Sequence, residues 1–247
     1  MQSLAKTLLA FLRPCIDAVL PPRCIGTGEI VDEQGMLSPG YWAKLQFIED
    51  PLCKTCGLPF PFDLDIGGES LCAACMEQEP AFDRARASLV YNDAGRGLIL
   101  TFKHGDQLHA VHTFTPWLLR AGRDFVGSAD MVAPVPLHRK RLWRRRYNQS
   151  ALLAREIARK AGKIYTPALL SRKRNTAPQQ GLTRRERKEN VQSAFAVDGD
   201  VAGKNVLLVD DVFTTGATLN ECARALKSAG AARVDVLTIA RVTKADL

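Results

Sequence analysis

Short runs of apolar residues alternate with helical patterns along the second half of the chain. Four runs rich in apolar residues predict buried strands, at 87–91, 131–137, 206–209 and 234–240. Between them, helical spacing predicts a helix that begins near Leu98 and two more over 148–161 and 218–229, which Gly162 and Gly230 close. Strands that alternate with helices predict a parallel sheet covered by helices, so the expected fold class is α/β.

The first 80 residues follow a different pattern. Apolar residues recur every four positions from Leu4 to Leu20, which predicts an amphipathic helix that ends at Pro21. Residues 23–80 are rich in Gly, Pro and Cys and contain no long periodic element. We therefore expect two domains, an N-terminal region at 1–80 and an α/β domain at 81–247.

Positive charge is concentrated in one segment. The 247 residues carry a net charge of +8, and 46% hydrophobic with 24% charged residues is typical of globular proteins rather than of disordered or membrane-embedded chains. Residues 138–190 contain 17 Lys and Arg against 3 Asp and Glu, whereas the rest of the chain carries a net −6. This segment requires either an anionic partner or a solvated surface. No window approaches the ~20 apolar residues of a membrane span and no secretory signal is visible, so we expect a cytoplasmic protein.

Four of the seven cysteines form two C-x2-C pairs that are 15 residues apart. In a reducing compartment such pairs are better explained as metal ligands than as disulfides. The spacing predicts one structural zinc ion with four thiolate ligands, Cys53, Cys56, Cys72 and Cys75. Cys15 and Cys222 lie in helical patterns, and Cys222 is expected to be a small core residue.

The strongest candidate for ligand binding follows the predicted strand at 206–209. Asp210 and Asp211 come at its carboxyl end, where open α/β sheets place their ligands. The loop 214–218 then supplies hydroxyl groups, backbone N–H groups and the start of a helix, which together suit one phosphate. Two acids that face vicinal hydroxyls beside a monophosphate site fit a ribose 5-phosphate.

These residues resemble a known motif. The stretch from Asp210 to Thr218 resembles the 5-phosphoribosyl-1-pyrophosphate (PRPP) signature of type I phosphoribosyltransferases. The complete layout resembles the ComF family, in which a zinc-ribbon region precedes such a domain. Further matching stretches occur in the family order at 102–105, 134–138, 146–149, 176–180, 184 and 190–191.

The resemblance implies a type I phosphoribosyltransferase-like sheet, with roles for individual residues. Asp210 and Asp211 would hold the ribose and stabilise its developing positive charge, and Lys103 would supply charge near the pyrophosphate, which binds with Mg²⁺. The PRPP-binding residues would be Val135, Pro136, Leu137, Thr214, Thr215, Gly216, Ala217 and Thr218. A flexible basic hood at about 171–190 would close over the site, with Arg174, Gln179, Gln180 and Arg184 in it.

The chain departs from the family pattern in its first ribbon. Many relatives carry two further C-x2-C pairs, but here Thr27 follows Cys24, and Ser38 and Tyr41 occupy the second pair's positions. We therefore predict a half-degenerate double ribbon whose first half binds no zinc. Packing of Tyr41, Trp42 and Leu45 is expected to maintain its fold.

Two hypotheses for the function remain open. The first is a PRPP-binding protein that transfers ribosyl 5-phosphate to an unknown acceptor and releases pyrophosphate. The alternative is a non-catalytic factor in DNA uptake or processing that keeps the PRPP site for sensing or as a relic. Arginines with interleaved Trp143 and Tyr147 suit nucleic acid binding through segment 138–190, but the position of this segment beside the predicted pyrophosphate turn favours a small anionic ligand.

Overall fold

The computed structural model of the chain describes residues 20–60, 70–104, 108–137, 142, 147–173 and 194–243. The predicted N-terminal helix lies almost entirely outside these residues, as does Cys15. The basic cluster at 139–146, except Leu142, also lies outside them. So do four residues to which a role in the hood was assigned, Arg174, Gln179, Gln180 and Arg184.

Five parallel strands form the central sheet, in the order β1-β7-β6-β2-β3. A separate antiparallel pair is formed by β4 and β5. The strands are β1 (Arg84–Val90), β2 (Met131–Pro134), β3 (Ile164–Tyr165), β4 (Leu170–Arg172), β5 (Phe195–Val197), β6 (Asn205–Phe213) and β7 (Arg233–Arg241). The predicted α/β fold class with a parallel sheet is confirmed.

Seven α-helices and one 3₁₀ turn accompany the strands in the described part of the chain. They are α1 (Pro39–Trp42), α2 (Ala73–Glu77), α3 (Asp93–His104), the 3₁₀ turn Leu108–Ala110, α4 (Val111–Ala121), α5 (Arg123–Ser128), α6 (Gln149–Ala161) and α7 (Ala217–Ser228). Helix α6 matches its prediction closely, since the Asn148 side chain caps its start and left-handed Gly162 follows its end.

Several predicted boundaries were wrong; strand β1, for example, starts at Arg84 rather than at residue 87. Helix α3 starts at Asp93, five residues before Leu98, because Asn92 Oδ1 accepts a hydrogen bond from Gly95 N (2.9 Å) in the first turn. That contact offsets the low helix propensity of the two glycines there. The strand predicted over 131–137 ends at Pro134; Val135 N still donates to Val209 O (2.9 Å), but Pro136 has no N–H with which to continue the ladder.

Strand β6 is longer than predicted and includes both acids. It continues from Val209 to Phe213 because β7 supplies partners over the same length, with Asp210 opposite Thr238 and Phe213 opposite Arg241. Both faces of β6 are covered, which explains its nearly continuous apolar start. Leu207 and Val209 face a cluster with residues of α3 to α6, whereas Val206 and Leu208 face a cluster with residues of α7, β4 and the cysteines.

The N-terminal region covers the outer edge of β1. Three backbone hydrogen bonds join them: Ala85 N to Thr55 O (2.6 Å), Ile48 N to Ser88 O (3.0 Å) and Val90 N to Gln46 O (2.9 Å). These contacts satisfy polar groups that an edge strand otherwise presents to solvent. The ribbon region is therefore attached to the sheet by main-chain pairing.

The helices give one further result. Within the described ranges, no helix is both long and apolar enough to cross a membrane.

Candidate functional site

The three side chains predicted to be catalytic lie together at the carboxyl edge of the sheet. Lys103 Nζ is 2.9 Å from Asp211 Oδ2, and both side chains are less than one-fifth exposed. Lys103 lies in the last turn of α3, so the C-terminal end of this helix is beside the acid pair. The adjacent Asp210 belongs to the same strand, β6.

Asp210 is held by two hydrogen bonds to one of its oxygens. Ser150 Oγ donates to Asp210 Oδ1 (2.8 Å), and Asp211 N donates to the same atom (2.9 Å). Burial and then the neighbouring Asp211 charge raise the pKa of Asp210 to about 7, against the lowering effect of these hydrogen bonds and of Lys103. Sequence reasoning missed Ser150, although the matching stretch at 146–149 ends immediately before it.

The start of α6 fixes the surroundings of the acid pair. Asn148 Nδ2 donates to Val135 O (3.1 Å), at the turn that follows β2. Gln149 Nε2 donates to Lys103 O (3.3 Å), at the end of α3. These residues lie in a stretch that matches the family, but no role had been assigned to them. Their contacts join the predicted pyrophosphate turn, Val135, Pro136 and Leu137, to the helix that carries Lys103.

The predicted phosphate loop lies between β6 and α7. Gly216 adopts a left-handed conformation (φ 74°) immediately before α7 begins, and Thr215 Oγ1 accepts a weak hydrogen bond from Ala217 N (3.4 Å). A Cβ atom at position 216 would lie 2.7 Å from Phe213 Cζ, so both the backbone angle and the packing require glycine there. The N-terminus of the 12-residue α7 thus faces a loop that can bind an anion.

The four predicted zinc ligands are brought together in the second ribbon. Their Sγ atoms all lie within 4.8 Å of one another, and all four residues are buried. Cys56 Sγ and Cys72 Sγ are 3.5 Å apart, which is close to the sulfur–sulfur separation of a tetrahedral zinc site. Burial raises the pKa of Cys56 to about 11 and that of Cys75 further, and neighbouring thiols add to both shifts. A divalent cation at the centre would stabilise the thiolates, so the donor set fits zinc.

The first ribbon has a hydrogen-bonded cluster at the corresponding positions. Thr27 Oγ1 and Ser38 Oγ are 3.3 Å apart beside the buried Cys24. Tyr41 Oη donates to Ala94 O (2.9 Å). Trp42 contacts the Trp117 ring edge-on, with centroids 5.7 Å apart. Leu45 is partly buried against the core cluster on that face of the sheet. The side chains expected to support this ribbon are thus packed against the α/β domain.

Known protein families match both the ribbon region and the α/β part of the chain. Residues 15–76 match the family described as Double zinc ribbon domain, and residues 148–245 match Phosphoribosyl transferase domain. Together with the cysteine cluster, the ribbon match supports a structural zinc ion. Among solved structures, an orotate phosphoribosyltransferase from Aeropyrum pernix is 18% identical, with a TM-score of 0.36, over 63% of this chain and 80% of that one.

Two relatives match over most of the chain. Competence protein F of Haemophilus influenzae is 31% identical over 214 residues, which cover 80% of this chain and 93% of the relative. The DNA utilization protein YhgH of Salmonella typhi is 34% identical over 196 residues, which cover 77% of this chain and 84% of the relative. With a phosphoribosyltransferase domain that follows a double zinc ribbon, the chain belongs to the competence protein F (ComF) family.

Proposed function

We propose that the protein binds PRPP with Mg²⁺ and transfers its ribosyl 5-phosphate to an acceptor, with release of pyrophosphate. The observation that carries this proposal is the arrangement at the end of β6. Asp210, Asp211 and the ion-paired Lys103 lie directly beside the loop at 214–218, so a sugar and its 5-phosphate can be held at one sheet edge.

The acid pair would bind the ribose hydroxyls. The carboxylates of Asp210 and Asp211 can accept hydrogen bonds from the 2- and 3-hydroxyls, and their negative charge opposes the positive charge that develops on the ring as pyrophosphate leaves. Lys103 holds Asp211 in place in the free protein. With ligand bound, its ammonium group would also balance the charge of the departing pyrophosphate.

The loop would bind the 5-phosphate. Left-handed Gly216 turns the chain so that the N-terminus of α7 follows at once. Backbone N–H groups at such a helix start, together with the hydroxyls of Thr214, Thr215 and Thr218, suit a phosphate dianion. Ala217 contributes a backbone N–H group without filling the space with a larger side chain.

Magnesium would be held jointly by the ligand's phosphates and by the oxygens at this edge, as is usual for Mg²⁺. When bound, it supplies positive charge to the leaving pyrophosphate. The turn at Val135, Pro136 and Leu137 would contact the pyrophosphate beside it.

We further propose the domain division at residue 80 and closure of the hood at 171–190, with Arg174, Gln179, Gln180 and Arg184, over the bound ligand.

Calorimetry with PRPP and Mg²⁺ tests the binding. We expect one PRPP per wild-type chain, and a loss of affinity of at least about 100-fold in the Asp210→Asn/Asp211→Asn double variant. Asp124→Asn is the matched control, because Asp124 is exposed on α5 away from the site, and its affinity should equal that of wild type. Absence of binding by wild type, or equal binding by the double variant, would contradict the proposal.

Catalysis needs a separate measurement. ³¹P NMR of PRPP with wild-type protein and a panel of nucleobases and amines should detect pyrophosphate release above the rate with Mg²⁺ alone. The double variant should reduce this rate to background. Binding without turnover against the whole panel would favour the non-catalytic alternative.

A second candidate function is DNA processing. Two observations favour it: the names of the relatives, competence protein and DNA utilization protein, and the 17 Lys and Arg of segment 138–190. Binding to single-stranded DNA at several salt concentrations would test it, because contact with many phosphates produces a steep slope of log affinity against log salt. Arg144→Ala/Arg145→Ala/Arg146→Ala should flatten this slope, whereas Asp210→Asn/Asp211→Asn should leave it unchanged. A shallow slope in the wild type would reject this candidate.

A further inference from the structure

Arg241 connects the cysteine cluster with the end of the sheet. It is the last residue of β7 and only 8% exposed. Its Nη1 donates to Cys56 O (2.6 Å), and its Nη2 donates to Cys56 Sγ (3.3 Å). A guanidinium group that donates to a thiolate sulfur stabilises the charged form of that sulfur, which is the form that binds zinc.

The same guanidinium contacts the residue that supports the phosphate loop. Arg241 Cζ lies 4.1 Å from the centroid of the Phe213 ring, within the range of a cation–π interaction. The Phe213 ring in turn lies directly beneath Gly216, where it leaves no room for a side chain. A continuous series of contacts therefore runs from Cys56 through Arg241 and Phe213 to the loop.

Other contacts also link the two regions, because the Phe82 ring meets the Phe213 ring edge-on, with centroids 5.9 Å apart, and the four cysteines and Phe213 belong to one buried cluster. A cleft of about 130 Å³ lies between the two regions, lined by Cys56 and Cys75 on one side and by Thr215, Gly216 and Ala217 on the other. Across it, Ala81 N donates to Asn220 Oδ1 (2.5 Å), which joins the segment after α2 to α7 but not to the loop itself. Arg241 and Phe213 also line the cleft, and Arg241 contacts both the Phe213 ring and Cys56.

We infer that Arg241 is a positioning residue through which metal in the cysteine cluster sets the conformation of the phosphate loop. The zinc ribbon is then part of the support of the PRPP site rather than an independent module. The inference rests on the proposed function where it concerns PRPP, but the effect on the loop itself does not require a ligand. Because linkage is reciprocal, a ligand held by the loop also slows the release of zinc.

Hydrogen exchange of the peptide that covers Thr214 to Asn220 tests the inference without any ligand. In zinc-loaded protein, Arg241→Met should accelerate exchange there by about tenfold, since the ring loses the group packed on it. Arg241→Lys should restore part of the protection, because an ammonium group can still donate to Cys56 O. Arg233→Met is the matched control: Arg233 begins the same strand, pairs with Asp235, and should leave exchange in the loop unchanged.

Metal release provides the second readout. Arg241→Met should lose zinc to a chromogenic chelator about tenfold faster than wild type, and PRPP with Mg²⁺ should slow the release from wild type but not from the variant. Unchanged exchange in the loop of Arg241→Met, with zinc retained, would overturn the inference. If wild type does not bind PRPP, the proposed function fails while the exchange experiment still decides this inference.

Two further samples test the inference if Arg241→Met does not fold. Phe213→Leu keeps an apolar side chain but removes the ring between Arg241 and Gly216, so it should accelerate exchange at 214–220 without accelerating zinc release. Wild type that has been stripped of zinc should show the same change in the loop. Protection of the loop in both samples equal to that of zinc-loaded wild type would overturn the inference.

Discussion

Residues 24–29 of the first ribbon and 53–58 of the second, here called the first and second knuckle, have the same backbone hydrogen bonds and different side chains. In both, the N–H of the first cysteine bonds to the carbonyl five residues later and the following glycine N–H bonds back, with all four distances at 2.8 Å, for Cys24 and Gly28 and for Cys53 and Gly57. Both glycines are left-handed, with φ of 76° and 67°. The knuckle turn therefore depends on local hydrogen bonds and a glycine, not on a full set of thiols.

The knuckles differ in what joins them to the rest of the protein. The second brings Cys53 and Cys56 to Cys72 and Cys75, on the face of the sheet that carries α7. The first buries Ile25 on the opposite face and is followed by the aromatic contacts of Trp42. Metal coordination connects distant segments in one case, and aromatic packing does so in the other.

Removal of one zinc ligand should give the largest difference between the knuckles. Cys75→Ser should abolish zinc binding and lower the free energy of unfolding by about 3–5 kcal/mol, because three buried thiols then lack their cation. Cys24→Ser should cost about 1 kcal/mol and leave the zinc content unchanged. Metal analysis and urea unfolding measure both. A wild-type content near two zinc ions per chain would contradict the prediction that the first knuckle binds none.

The two glycines offer a matched pair of substitutions. Gly57→Ala should cost about 3 kcal/mol, since its Cβ would lie 2.5 Å from Ala85 O in addition to the unfavourable φ. Gly28→Ala has a similarly unfavourable positive φ, but among the described residues no heavy atom other than those of its chain neighbours lies within 4 Å of the added Cβ. It should therefore cost only about 1 kcal/mol. Urea unfolding of the two variants compares them. Equal losses would show that the second knuckle is not packed tightly against β1.

The aromatic packing of the first ribbon should have a smaller effect. Trp42→Ala removes ring contacts with Phe47 and Trp117, but Trp42 is 48% exposed, so we expect a loss of about 1–2 kcal/mol. Met36→Ala, at a side chain of similar exposure, should change stability by less than about 0.5 kcal/mol. Thermal unfolding provides the measurement. Faster hydrogen exchange in Trp42→Ala should be confined to residues 22–47, which include Trp42 and Phe47, and spare the second knuckle.

The smallest expected effect is a pH dependence of the first knuckle. Burial opposes ionisation of Cys24, but hydrogen bonds from Thr27 and Ser38 outweigh it and lower the pKa to about 7 from the usual 9.0. A lowered pKa stabilises the folded state above pH 9, and this contribution disappears as the pH falls through 7. Wild type should therefore gain about 1 kcal/mol over Cys24→Ser between pH 6 and 8. Thr27→Val should reduce that gain, and an identical pH profile for wild type and Cys24→Ser would rule the effect out.

Local patterns were sufficient for part of this structure. Four of the seven strands and three of the five α-helices described in the α/β domain follow from hydrophobic runs and capping residues, such as Asn148 and Gly162 around α6, whereas the short strands β3, β4 and β5 and the helices α4 and α5 were not predicted. The four cysteines follow from their spacing alone. Asp210 and Asp211 could be placed at a sheet edge because an apolar run precedes them, although β6 continues beyond them.

Contacts between remote segments could not be predicted in this way. Cys56 and Arg241 are 185 positions apart, and no local pattern marks Arg241 as different from any other strand-end arginine. Ser150 reaches Asp210 because α6 starts beside β6, which depends on the order of strands in the sheet. Sequence gives the chemistry of each segment, whereas packing decides which segments share a site.

The pairing of β1 with the ribbon region has a consequence for the protein when zinc is lost. The main-chain bonds from Thr55, Ile48 and Gln46 cover a strand that would otherwise be open to pairing with another chain. If the second knuckle loosens, part of this edge becomes available to a neighbouring molecule. We therefore expect zinc-depleted protein to aggregate through β1, so the metal also protects the protein's solubility.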